Sequence, residues 1–236
     1  MNAFCKHKVP GILYNVGTGV FMLVKRIFMS LFGVIICAIS VGLFKMAALG
    51  VDPFQSFMAG LDALIPIQFG TLYTIVNIIL LAFSLIFYRK NIGLATFINM
   101  FLLGYITQFS YEFFMRTFPE PSMVFRFASL IIAVVVICFG SAFYMTADLG
   151  VSTYDAVAIT MADKWKLWQF KYIRICTDLV CVIVGCLIFV IAGHKIAEVP
   201  TIAGIGTIIT AFFMGPLIEF FNVKVARPVL NSGKKE

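Results

Sequence analysis

An all-α, polytopic transmembrane helical bundle of about six spans, built from two inverted three-span repeats, is the fold class this sequence predicts. Three observations predict it. First, 61% of the 236 residues are hydrophobic and only 12% are charged, where a soluble domain carries roughly a quarter charged residues. So little charge cannot cover a surface facing water, so lipid must be the solvent for much of the chain. Second, six runs stay apolar for the ~20 residues a spanning helix needs. Third, the sequence matches itself at an offset of 100 residues.

The N-terminal stretch, with Lys6, His7 and Lys8 before an apolar run, imitates a signal peptide. Pro10, Gly11, Asn15, Gly17 and Gly19 interrupt that run, and no persuasive cleavage site follows. Residues 1–26 therefore read as a cytoplasmic or interfacial segment, with a seventh crossing over 9–24 as the alternative. Spans at about 27–47, 70–88 and 92–114 make a first repeat over 27–120. Spans at about 127–147, 172–193 and 200–222 make a second over 121–223, and 224–236 is a cytoplasmic tail. The connectors 48–69 and 148–171 are too polar to span, being cut by Asp52 and Pro53 or by Asp148, Asp155, Asp163 and Lys164.

Lys and Arg set the orientation. With the N-terminus inside, fourteen of them fall on the cytoplasmic side, including Arg89, Lys90, Lys164 and Arg174. Only Arg116, Arg126 and Lys195 fall outside. Both termini are therefore expected in the cytoplasm. The net charge of +7 is spread over these topology clusters, which argues against a nucleic-acid partner.

The repeat runs without a gap from Val24 to Leu61 against Val124 onward. Arg26 meets Arg126, Phe44 meets Tyr144, and Leu49-Gly50-Val51 returns as Leu149-Gly150-Val151. A one-residue slip pairs Asn77 with Asp178, and Ala95-Thr96 later matches Gly206-Thr207. Three spans is an odd number, so the second copy must insert upside down, an arrangement that frames many secondary transporters. Gly50 and Gly150 suit the left-handed position that ends a helix. Asp52 and Ser152 suit N-caps, and Pro53 suits the first helical turn. Apolar residues then follow at helical spacing: Phe54, Phe57, Met58 and Leu61, and Tyr154, Val157, Ala158 and Met161. Each half thus owns a short helix just past a break. If both helices dip inward, their positive N-terminal dipoles meet at a shared site; the alternative is a helix lying flat at the interface.

These segments, Ala48-Leu49-Gly50-Val51-Asp52-Pro53-Phe54 and Asp148-Leu149-Gly150-Val151-Ser152-Thr153-Tyr154-Asp155, with the late Gly206-Thr207 and Gly215, resemble the YczE/YyaS/YitT-like bacterial integral membrane proteins. The resemblance covers most of the chain after about residue 20. It implies an inner-membrane protein of largely uncharacterised activity. Related chains carry an aromatic followed by an acidic residue where this one has Phe54-Gln55; Tyr154-Asp155 keeps that pairing.

Ionisable residues inside a span cost about 2.5–3.5 kcal/mol on insertion scales, which singles out Asp178 and its repeat mate Asn77. They are expected to form a polar pair for a cation, a proton or a substrate amine, the alternative being an ordinary interhelical hydrogen bond. Asp155 joins them as a site candidate, with simple placement near a helix dipole as its alternative. Lys45 and Asp148 flank the two breaks, and a bridge between them would require re-entry. The substrate-binding candidates are thus Asn77, Asp178, Asp155, Gly50, Gly150, Asp52 and Ser152.

Cys5, Cys37, Cys138, Cys176, Cys181 and Cys186 form no CxxC or Cys/His cluster and read as small hydrophobes. No metal site, cofactor or catalytic motif is expected, and no enzyme. The function this pattern supports is a secondary transporter or permease for a small molecule or ion, working by alternating access in the cell (inner) membrane. The alternative is a non-transporting accessory or regulatory membrane protein. Homo-oligomerisation is left open.

Overall fold

The computed structural model of the chain describes residues 16–232. Cys5, Lys6, Lys8, Lys234 and Lys235, and residues 9–15 of the alternative crossing, lie outside the described residues. Every regular element among the described residues is helical: α1 (Val16–Ala47), α2 (Pro53–Leu64), α3 (Phe69–Phe87), α4 (Leu94–Thr117), α5 (Met123–Thr146), α6 (Thr153–Ile159), α7 (Phe170–Ile191), α8 (Ile205–Phe221) and α9 (Arg227–Asn231). A π turn, Thr160–Lys164, extends α6, and another, Asn222–Ala226, links α8 to α9. Five segments are long and apolar enough to cross a membrane: Val20–Ala47, Phe69–Phe87, Met123–Thr146, Tyr172–Ile191 and Ile196–Asn231. Helix α4 matches α5 in length at 24 residues, but Asn99, Tyr105 and Gln108 leave it less apolar than those five.

Helix α1 is continuous from Val16, well before the expected start at Ile27. Residues 16–26 are therefore helical and continuous with the first long helix. Its two glycines, Gly17 and Gly19, sit in the first turn, where they cost little, and no proline follows until Pro53. A distinct seventh crossing has no break to begin from within 16–24.

Much of the surface is apolar, and small polar side chains are buried among apolar ones in the interior. Phe28, Ile86, Phe109, Ile131, Ile191 and Phe212 are more than 60% exposed, whereas Ser30, Ser40, Asn77, Thr96, Thr107 and Thr153 are fully buried. Without a hydrophobic force between helices in lipid, packing relies on small residues and hydrogen bonds. The α1–α5 crossing shows both. A Cβ on Gly33 would lie 2.6 Å from the Gly140 carbonyl and the Tyr144 nitrogen. The Ser40 hydroxyl donates to the Ala133 carbonyl at 2.7 Å, and Cys37 reaches the Ile137 carbonyl. As residue numbers rise along α1 they fall along α5, so the pair is antiparallel and the two chain breaks lie at its opposite ends.

The short helices change partners between halves. Helix α2 lies on α7, where a Cβ on Gly60 would meet the Gly185 carbonyl at 2.3 Å. Helix α6 lies on α3, through a hydrogen bond from Thr153 to the Asn77 carbonyl oxygen of its side chain.

Candidate functional site at the meeting of two chain breaks

Each break uses the same backbone device. Ala48 and Gly50 take φ of 48° and 99°, and Asp148 and Gly150 take 51° and 117°. A left-handed non-glycine residue costs on the order of 1–3 kcal/mol and persists only where its surroundings fix it. The surroundings here are reciprocal. In the first half, Arg126 donates from Nε to the Ala47 carbonyl at 2.6 Å and from Nη2 to that of Ala48 at 2.8 Å. In the second, Arg26 donates from Nη1 to the Ala147 carbonyl at 3.2 Å. The Thr207 hydroxyl donates to the Val51 carbonyl and the Thr96 hydroxyl to that of Val151, both at 2.6 Å. The backbone nitrogens of Gly206 and Ala95 close the carbonyls of Leu49 and Leu149, at 2.7 and 3.0 Å. Each break is therefore pinned by the start of the last long helix in the other half. Gly50 and Gly150 are required twice over, since a Cβ there would also lie 2.4 Å from the Gly204 nitrogen or 2.6 Å from that of Gly93.

Both short helices begin as their sequences predict. The Asp52 carboxylate accepts from the Gln55 backbone nitrogen at 3.2 Å, and the Ser152 hydroxyl accepts from that of Asp155 at 3.1 Å. Pro53 occupies the first turn of α2. The two first turns then meet. Phe54 stacks on Tyr154 with ring centroids 4.9 Å apart and planes at 21°, and Tyr73 of α3 sits edge-on to Phe54.

Around Tyr154 lies a charged cluster that joins α6 to α7. The Arg174 guanidinium lies 4.4 Å from the Tyr154 ring centroid. It bonds the Asp155 carboxylate, and its Nε lies 3.3 Å from Asp178 Oδ1. The Tyr154 hydroxyl donates to that same oxygen at 2.7 Å, and the Ser152 hydroxyl donates to Asp155 at 2.7 Å. Two carboxylates, one guanidinium and a phenol thus share a partly buried space with an aromatic wall.

Asn77 and Asp178 do not pair with each other. Asn77 is buried, donates to the Tyr73 carbonyl at 2.7 Å and accepts from Thr153, while Asp178 accepts from Tyr154. They are joined through consecutive residues of α6. Lys45 and Asp148 also part company: Lys45 pairs with Asp62 at 3.6 Å and lies over the Phe69 ring, and Asp148 pairs with Arg26 at 3.5 Å. Of the predicted candidates, Asp155, Asp178 and Ser152 share one network, Gly50, Gly150 and Asp52 build the breaks, and Asn77 lines the α3 side.

Sequence reasoning missed Arg174, counting it among the cytoplasmic charges. The available signal was its spacing, one helical turn before Asp178 on the same face. It also missed the roles of Arg26, Arg126, Thr96 and Thr207, although the repeat retains all four in matched pairs. The Gln55 side-chain oxygen in the first half is buried without a hydrogen-bond partner among the described residues, and so is the Tyr144 hydroxyl in the second.

No solved structure matches the chain. Among curated proteins it is 24% identical to the uncharacterized protein YyaS of Bacillus subtilis, over 86% of this chain and 95% of that protein. It is 26% identical to the uncharacterized membrane protein YczE of the same organism, over 80% of this chain and 81% of that one. An uncharacterized Haemophilus influenzae protein is 22% identical over 86% of each. The expected resemblance to YyaS and YczE therefore holds, and with it a membrane protein. Residues 24–223, which contain both breaks and the charged cluster, match one family profile along their whole length, and the chain belongs to that family, the family of unknown function DUF6198.

Proposed function

We propose that this protein is a secondary transporter or permease for a small molecule or ion, not an enzyme, working by alternating access. In this reading α1, α3 and α4 form one three-span unit and α5, α7 and α8 repeat it inverted across the membrane, six spans in all. Both termini are cytoplasmic, and Arg174 leaves the inner charge tally without reversing it. The observation that carries the reading is the contact of Phe54 with Tyr154. Breaks at opposite ends of an antiparallel helix pair send their short helices to a common point, as expected if both dip into the bilayer. Irregular backbone at membrane depth is tolerated where it is buried or lines a cavity, and the reciprocal bonds at Val51 and Val151 meet that condition. Helix starts aimed at one point add two partial positive charges. The Asp155–Arg174–Asp178 network adds a switchable set of charges, because a substrate that competes for Asp155 releases Arg174 from α6, and one that competes for Asp178 releases the Tyr154 hydroxyl from α7. The unpartnered Gln55 oxygen gives the neutral side of the site an acceptor.

The test is uptake into liposomes holding the purified protein, run across a panel of amines, amino acids, sugars and inorganic ions. Uptake of at least one solute is expected, and Asp178→Asn should abolish it at unchanged protein yield. Uptake at the parent level by both Asp178→Asn and Asp178→Leu would remove Asp178 from the mechanism. A panel with no uptake would favour a non-transporting accessory role.

A further inference from the structure

We propose that the groove at the C-terminal end of α3 binds an anionic phospholipid headgroup, a site independent of the transport reading. The groove encloses about 440 Å³ between the end of α3 and the π turn after α6. Its lining holds three cations, Arg89, Lys90 and Lys164, and no carboxylate. Lys164 donates to the Phe87 carbonyl, an orphan acceptor of the helix end. That bond fixes the ammonium and leaves two of its three donors for a phosphate oxygen. Arg89 and Lys90 are exposed on the same rim.

The remaining wall is apolar and open, which selects a lipid over a free anion. Leu85 and Ile86 are 42% and 73% exposed, so an acyl chain can lie beside α3 while its headgroup meets the cations. Trp165 packs edge-on against Phe83 and Phe87 at 5.7 and 5.3 Å, and an indole flanked by Lys marks headgroup depth. The opposite end of the fold provides the contrast. Asp163 shares the π turn with Lys164 but does not line the groove, whereas after α7 His194 lies 2.9 Å from the Glu198 carboxylate. Basic recesses between spans on the cytoplasmic side favour anionic headgroups for these reasons.

The experiment titrates the detergent-solubilised full chain with phosphatidylglycerol and counts bound lipid by native mass spectrometry. Arg89→Gln/Lys90→Gln/Lys164→Gln should weaken binding on the order of a hundredfold, from roughly fivefold per basic residue. Lys195→Gln, at the other end, should bind as the parent chain does. Inorganic phosphate at roughly millimolar concentration should not compete with the lipid. Arg89→Gln alone, at the exposed rim, keeps the test decisive if the triple variant loses its fold, with about a fivefold loss expected. Unchanged binding in Arg89→Gln overturns the proposal, and competition by phosphate overturns it in favour of a soluble-anion site.

Discussion

The two breaks share a backbone and differ in chemistry. In both, a left-handed pair of residues ends a long helix, an arginine from the other half closes its last carbonyls, and a threonine from the other half holds the next turn. The side chains that face the meeting point then diverge. The first half offers Phe54, Gln55, Tyr73 and Asn77, all uncharged. The second places Tyr154, Asp155, Arg174 and Asp178 at the matched positions. Duplication kept what the backbone needs at both ends and concentrated charge in one. In a rocking mechanism, the ion-paired α6–α7 contact would then respond most strongly to protonation or to a charged substrate, while on the α2 side the carboxylate of Asp52 is held as the helix cap.

Four sets of substitutions test how far the two breaks differ. The largest effect is expected at the glycines. Gly50→Ala and Gly150→Ala each combine a forced positive φ with a backbone clash, and each should lose about 3–5 kcal/mol, read as lost yield or a collapsed melting transition in detergent. Similar losses at both sites support a shared scaffold. Next, Arg174→Met leaves two carboxylates without their counter-ion and should cost about 3 kcal/mol, the low end for such sites because these groups are partly exposed. Adding Asp155→Asn and Asp178→Asn should restore most of the melting temperature. Thr96→Val and Thr207→Val should each cost about 1 kcal/mol or somewhat more, and match one another closely, since each removes a 2.6 Å bond to the opposite break together with a second, longer one, from the Gly93 nitrogen or to the Ile202 carbonyl. The smallest effect belongs to the neutral half: Tyr73→Phe, losing its 3.2 Å bond to Asn99, should cost about 0.6 kcal/mol. A loss there as large as at Arg174 would remove the asymmetry.

Much of the scaffold was legible in the sequence. Apolar runs of spanning length located the long helices, because lipid imposes that length. Gly50, Asp52 and Pro53, with Gly150 and Ser152, marked the breaks and caps because only a few residue types suit those backbone angles. Partners across spans were less legible. An apolar helix can be satisfied on any face, so nothing local indicates that Thr153 will reach Asn77 or that Lys45 will choose Asp62 over Asp148. The early start of α1 was hidden for a related reason. Its first turns are glycine-bearing and flanked by charge, and they read as interface until the continuity of the helix is seen. Arg174 was misread because a positive residue at a span end ordinarily signals topology, and here it signals an ion pair.

The central claim is that the two short helices enter the membrane from opposite faces and meet. Single cysteines placed along 49–65 and 149–165, in an otherwise cysteine-free chain in oriented vesicles, test it with a bulky, impermeant thiol reagent. Protection at positions 54, 55, 154 and 155 is expected, with disulfide formation between Phe54→Cys and Tyr154→Cys under mild oxidation. Full labelling along both segments, or labelling of both from the same face, would contradict it.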